Sequence, residues 1–210
     1  MTSFDVIRRL RRILGIRTMG HAGTLDPLAT GLLIIGVGGG TKKLTPLIGL
    51  PKSYEAEILL GVRTDTSDTD GAVVETRTLS ALDPETVRCA VESMTETHEL
   101  PVSIYSAKKR GGRPLYDYAR KGEQITPPVA TMTVSSAVFI SYEHPVVRVR
   151  FNVSSGTYIR SLAEELARRL GTVGTIRALR RLSIGEYRVE DARTLDEMSS
   201  VLPDTKNLLS

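Results

Sequence analysis

Residues 146–171 read VVRVRFNVSSGTYIRSLAEELARRLG and change period half-way. The first part alternates apolar and polar residues, which predicts a strand, drawn over 145–153. The second repeats every three to four residues. Ile159, Leu162, Ala163, Leu166, Ala167 and Leu170 make one apolar stripe, so 158–171 is predicted as a helix that Gly171 stops. Strand and helix follow one another without the regular βαβ rhythm of a parallel sheet. The expected class is therefore α+β, a mixed and mainly antiparallel sheet flanked by helices and loops.

Outward from that stretch, 131–141 and 53–60 also read as strands, LLIIGVG (32–38) as a buried strand and AVVE as a short one. Residues 83–97 read as a helix with Pro84 near its start. Residues 3–14 read as another, with Phe4, Ile7, Leu10 and Leu14 on its apolar face and Val6 and Ile13 at the border. Arg8, Arg9, Arg11 and Arg12 share its opposite side, and Thr2 with Asp5 resembles a capping box.

The 210 residues suffice for one large domain. No apolar run approaches the ~20 residues of a membrane span, and the N-terminus lacks a signal-peptide core, so a cytoplasmic protein without membrane partners is expected. One cysteine, Cys89, excludes an internal disulfide and a cysteine-built zinc site. The net charge of +4 hides a pattern: +6 over 1–52, −8 over 53–104, +5 over 105–121 and +5 over 145–193. Basic blocks that met in space would suit a polyanion.

Two tempting motifs fail. GVGGGTKK has Thr41 where a dinucleotide fingerprint needs glycine, and it lacks phosphate-loop spacing; it is taken as a strand end. TDTSDTDG (64–71) begins a calcium-loop pattern with Thr66 and closes it with Arg77 where a glutamate belongs, so a structural loop is expected. Three scattered histidines make no metal set.

GHAGTLDPLATG (20–31) crowds three glycines, a proline and two threonines around a single carboxylate, Asp26. Pro27 biases Asp26 toward an extended backbone. Taken alone, a turn aspartate bonding its own backbone would account for it. The wider pattern, GHAGTLDPLATGLL, closely resembles the signature of the TruB family of pseudouridine synthases. SYEAEILLGVRTDTSDTDG (53–71), PVSIYSAKKRGGRPLYDYARKG (101–122), SSGTYIRSLAEELARRLG (154–171) and RALRRLSIG (177–185) match the family in the same order, over nearly the whole chain.

The resemblance implies a pseudouridine-synthase sheet with an active site in a cleft across it. It places the catalytic aspartate on Asp26, an active-site tyrosine that stacks on the target base on Tyr54, and the arginine that pairs with the aspartate on Arg160. It places a leucine that packs against the base on Leu179, and the histidine that contacts RNA where the base has been turned out on His21. Converting uridine to pseudouridine breaks the N1–C1′ bond, rotates the base and joins C5 to C1′. Neither redox change nor phosphate energy is involved, so no cofactor and no metal are implied. The carboxylate attacks C1′ or C6, or helps to form a glycal, and the residues leave these three open. A neighbouring arginine favours the ionised form.

The target uridine lies in a folded RNA loop and must be flipped out, at a cost of a few kcal/mol. In the family the region of 105–121 is a thumb-like insertion that closes on RNA. Lys108, Lys109, Arg110, Arg113, Arg120 and Lys121 suit phosphates there, and Tyr116 and Tyr118 suit stacking or anchoring. Arg180 and Arg181 are expected to add backbone contacts.

The expected partner is the T-arm stem-loop of tRNA, modified at position 55, and a monomer is the default. The alternative is a non-catalytic RNA-binding or RNA-folding protein that keeps the fold. The expected domain runs over 1–193, with 194–210 as a short tail. The family's N-terminal strand with its Lys-Pro pair and its C-terminal PUA domain are not in this sequence, so weaker RNA affinity than in a full-length relative is expected.

Overall fold

The computed structural model describes residues 1–106 and 108–201, and the chain divides into two compact units, Met1–Lys52 with the segment from Arg180 onward, and Ser53–Leu179. In chain order the elements are α1 (Ser3–Leu14), β1 (Met19–His21), β2 (Thr30–Gly31), β3 (Ile35–Val37), a 3-10 turn over Gly38–Lys43, and α2 (Leu44–Ile48). Then come β4 (Lys52–Leu60), β5 (Val62–Thr64), β6 (Val73–Thr76), α3 (Pro84–Glu92), β7 (Thr97–Pro101), β8 (Lys109–Arg110), β9 (Arg113–Pro114) and α4 (Leu115–Arg120). The last are β10 (Val129–Glu143), β11 (Val146–Val153), α5 (Ile159–Arg169), β12 (Gly174–Ile184), β13 (Tyr187–Arg188), a 3-10 turn over Val189–Asp191, and α6 (Leu195–Val201). Among the described residues no helix is long and apolar enough to cross a membrane.

In the first unit, α1 starts where its capping box dictates. The Asp5 amide donates to Thr2 Oγ1 (3.2 Å) and the Thr2 amide to the Asp5 carboxylate (2.8 Å). Such a cap contributes about 1 kcal/mol. Gly15, at φ +70°, ends the helix by donating to Arg11 O. Ile7 and Leu10 are buried with Met19, and Leu14, Ile35, Val37, Leu195 and Met198 pack around them.

Phe4 departs from the expected face. It is 54% exposed, with the guanidiniums of Arg8 and Arg11 within 6 Å of its ring. One turn before Ile7, it overhangs the helix start beyond the apolar residues that cover the later turns.

The strand expected over 32–38 shrinks to Ile35–Val37, paired antiparallel with β1 from Met19↔Val37 to His21↔Ile35. The GGGTKK stretch is a 3-10 turn rather than a strand end, because Gly38 at φ +55° turns the chain. The start of the predicted tail is helical. α6 lies against α1, opens with a Thr194–Glu197 capping box and pairs Asp196 with Arg9; residues 202–210 fall outside the described ones.

The second unit is built on the strand order β12-β4-β11-β10-β7, with the first half of β12 at one side. β10 pairs antiparallel with both β11 and β7. Val147, Val149, Phe151 and Val153 are all buried, which is the period-two alternation of the opening stretch realised. In α5 the stripe Ile159, Leu162, Ala163, Leu166 and Ala167 is likewise buried.

The helix expected over 83–97 stops at Glu92. Residues 97–101 instead form the edge strand β7, whose partners run from Thr97↔Thr133 to Pro101↔Val129. Sheet pairing outweighs the helical pattern there. Mixed, mainly antiparallel sheet with flanking helices is the fold class expected above.

Candidate active site

The loop from Gly20 to Gly31 joins β1 to β2 and carries Asp26. Its conformation is fixed from three sides within the first unit. Ser3, at the start of α1, accepts from the Leu25 amide (2.9 Å) and donates back to Leu25 O (3.4 Å). A turn closes behind the aspartate, where the Ala29 amide donates to Asp26 O (2.9 Å). Underneath lies Arg181, only 1% exposed. Its Nε donates to Leu32 O (2.8 Å), Nη2 to Gly23 O (3.1 Å) and Nη1 to Thr24 O (3.4 Å).

A fully buried arginine needs acceptors for its donors, and here backbone carbonyls at both ends of the loop accept from each of its nitrogens. β2 also pairs in parallel with β12, Gly31 opposite Arg181, and the Leu32 amide donates to Arg181 O (2.9 Å). Gly31 sits at φ +97°, and a Cβ there would lie 2.2 Å from the Arg181 carbonyl oxygen. Only glycine lets the two backbones come this close.

Arg181 is therefore not the surface phosphate contact expected of it. Its neighbour Arg180 is exposed and remains available for that role. Lys52 lies in the same cluster, 8% exposed, with Nζ donating to Ile48 O (2.9 Å) and Leu50 O (2.7 Å). Burial, then the charge of Arg181, lowers the basicity of both Lys52 and His21. His21 Nδ1 is shielded from solvent and makes no hydrogen bond among the described residues. The imidazole is thus biased toward its neutral form.

In the second unit Tyr54, the third residue of β4, is 8% exposed, and Leu179 on β12 is 6% exposed. Arg160, one residue into α5, is 4% exposed. Its Nη1 donates to Thr66 O (2.8 Å) and approaches Ser103 Oγ (3.4 Å), while Nη2 donates to Tyr105 O (3.1 Å). Asp68 adds a carboxylate oxygen 3.7 Å away, itself buried.

Asp68 is held in turn by Thr66 Oγ1 (2.6 Å) and the Asp70 amide (3.2 Å), and the Ala72 amide donates to Asp65 Oδ1 (2.9 Å). The Asp65 and Asp68 carboxylates are thus engaged with their own loop, and Asp68 also with Arg160. Sequence reasoning missed Asp68, Thr66 and Tyr105 as supports of that arginine. A paired signal did exist, an acidic loop of turn residues in a chain whose matching motifs include an arginine at a helix start. Tyr105 also donates through its hydroxyl to Asp65 (3.0 Å), and burial, then Asp65, pushes its phenol up.

Within the basic segment 105–121, residues 109–114 form a small hairpin, β8–β9, followed by α4. Leu115 anchors it, fully buried against Val102 and Met132. Lys109, Arg110, Arg120 and Lys121 are exposed, Lys108 half-buried. Arg113 is spent internally, stacked 3.5 Å over the Tyr118 ring and paired with Glu123. Arg120 lies over Tyr116, with 5.3 Å to the ring centroid, and Tyr118 donates to Arg110 O (3.0 Å).

Residues 11–159 match the family model described as TruB family pseudouridylate synthase (N terminal domain). Among similar proteins is a tRNA pseudouridine synthase B of Xanthomonas campestris pv. campestris (strain 8004), 41% identical over 202 residues, covering 96% of this chain and 66% of the relative. The protein of the same name from Aromatoleum aromaticum is 38% identical over 206 residues, covering 98% of this chain and 67% of its own length. The chain thus spans about two thirds of the length of the curated relatives it matches. Among solved structures, the archaeal box H/ACA sRNP Nop10-Cbf5 complex aligns with a TM-score of 0.69 at 21% identity, over 95% of this chain and 50% of the other. An H/ACA RNP bound to a substrate RNA containing 2'-deoxyuridine aligns with a TM-score of 0.71 at 21% identity, over 95% and 49%. At that identity the likeness concerns the fold.

Proposed function

The chain belongs to the TruB family of pseudouridylate synthases, and on that premise we propose that it isomerises uridine to pseudouridine at position 55 in the T-loop of tRNA. The observation that carries the reading is the mounting of Asp26. A lone carboxylate sits on a twelve-residue loop whose backbone is held by Ser3, by the Ala29 turn and by buried Arg181. A carboxylate held this way is oriented before substrate arrives, which is how a catalytic group avoids an entropic cost at the reacting centre.

Asp26 supplies the carboxylate that assists N1–C1′ cleavage. Arg160 is assigned by its motif to keep that carboxylate ionised. Tyr54 and Leu179 are assigned to the flipped base, and His21, biased toward its neutral form, to the gap the base leaves. In the overall change C5 gives up its proton when it bonds to C1′, and N1 gains one, so the atoms balance without any co-reactant. Exposed Lys109, Arg110, Arg120, Lys121 and Arg180, with Lys108, are assigned to phosphates.

The test is pseudouridine formation in an unmodified T-arm stem-loop, read by site-specific chemical labelling and primer extension. Product is expected at the T-loop uridine with the intact chain and none with Asp26→Asn. RNA binding by folded protein without product would replace this reading with the non-catalytic one.

A further inference from the structure

We propose that Arg181 is a positioning residue for the reaction, acting through the loop that carries Asp26 and not through RNA; the proposal rests on the activity proposed above. Three observations meet at this side chain. It is 1% exposed, so no phosphate reaches it. Its donors are committed to Gly23, Thr24 and Leu32, carbonyls that lie on either side of Asp26 in the chain. Its backbone is paired with Gly31 and Leu32 at the loop's far end. One residue therefore ties both limbs of the loop to β12.

A planar guanidinium fork reaches three carbonyls in fixed directions, whereas a lysine ammonium is a compact charge on a flexible stem. The side-chain hydrogen bonds of Arg181 and Lys52 described above all go to backbone carbonyls. The positive charge under the loop is thus offset by backbone carbonyls, and the geometry of those carbonyls is what Arg181 maintains. Without the fork the Asp26 limb loses its floor, and a misplacement of about 1 Å at a reacting group can cost on the order of a hundredfold in rate.

The experiment compares the intact chain with Arg181→Met and Arg181→Lys in single-turnover reactions on a T-arm stem-loop, enzyme in saturating excess. RNA affinity is measured in the same salt, and amide hydrogen exchange is followed over residues 20–32. The rate constant is expected to fall about a hundredfold in Arg181→Met and about tenfold or more in Arg181→Lys. Affinity should stay within about twofold, and loop exchange should accelerate while residues 5–14 keep their protection.

A purely structural role would lower the folded fraction but leave the rate constant at saturating enzyme unchanged, which would overturn the proposal. So would weakened affinity at an unchanged rate constant, which would make Arg181 an RNA contact. If Arg181→Met does not fold, Arg181→Lys carries the test. If the intact chain makes no pseudouridine, the activity reading fails separately, and unchanged loop exchange in Arg181→Lys would still refute the positioning role.

Discussion

Replacing Gly31 with alanine should unfold the Asp26 loop's attachment at a cost that can be worked from two terms. The first is conformational: at φ +97° an L-residue is strained by about 1–2 kcal/mol. The second is steric. The new Cβ would lie 2.2 Å from Arg181 O, 2.8 Å from its N and 3.0 Å from its carbonyl carbon. These are backbone atoms of a paired strand, so no rotamer change relieves the clash, and forced separation costs a further ~1–3 kcal/mol. The total is about 2–5 kcal/mol.

Gly23→Ala is the matched control. It has a similar φ of +89°, but its Cβ would meet only the Arg181 and Lys52 side chains, at 3.5 and 3.7 Å. That is ordinary contact, so only the strain of about 1–2 kcal/mol applies. In urea unfolding, the difference of about 2 kcal/mol should appear as a midpoint roughly 1 M lower for Gly31→Ala, at a slope near 2 kcal/mol/M. Gly31→Ala should also lose pseudouridine formation out of proportion to its folded fraction. Equal midpoints for the two variants would refute the claim that close approach of β2 to β12 sets this loop.

Other perturbations test other parts. Lys109→Ala with Lys121→Ala removes two exposed cations and should flatten the slope of log affinity against log salt by about 1.4–1.8, with the catalytic rate constant at saturation unchanged. Arg113→Ala, by contrast, removes a cation already spent on Tyr118 and Glu123 and should move loop protection against exchange more than the salt slope. Asp68→Asn removes the buried carboxylate 3.7 Å from Arg160 and should lower the single-turnover rate about tenfold while RNA affinity holds. Glu165 is held at about 2, below its ordinary 4.5, first by its hydrogen bond from Arg168. Its stabilising effect is therefore full above pH 4.5 and lost as pH falls toward 2, so Glu165→Gln should show a flatter thermal midpoint over that window.

The elements that sequence periodicity reads well are those whose one face is buried on one partner. β11 and α5 are of that kind: Val147, Val149, Phe151 and Val153 are buried in the one, and Ile159, Leu162, Ala163, Leu166 and Ala167 in the other. The pattern misleads where a competing interaction decides. The helix pattern beyond Glu92 gives way to pairing of residues 97–101 with β10, because an unpaired strand edge has more to gain than a further helical turn. Phe4 sits in register with Ile7 yet overhangs the helix start and takes arginine neighbours instead. Asp26, His21, Tyr54, Arg160 and Leu179 were legible as motif members. The residues that hold Arg160 and the Asp26 loop, Asp68, Thr66, Tyr105 and Ser3, were not singled out, because turn residues look alike whether they support a loop or merely close it, and only the pairing of an acidic loop with a helix-start arginine hinted at Asp68.

Arg181 shows where physical reasoning from sequence can go further. In RALRRLSI, charge alone reads Arg180 and Arg181 as a surface pair. Strand parity separates them: residues 179, 181 and 183 fall on one face of β12, and Leu179 is an apolar residue that marks which face is inward. Leu179, Arg181 and Ser183 are indeed all buried, while Arg180 between them is exposed. An arginine on the apolar parity of a strand must find acceptors away from water, and a glycine-bracketed loop with backbone carbonyls turned inward offers them. The same parity argument separates the two arginines experimentally. Arg180→Ala should weaken RNA binding and leave loop exchange alone, whereas Arg181→Lys should do the reverse, and a shared phenotype would mean that burial on this strand does not divide their roles.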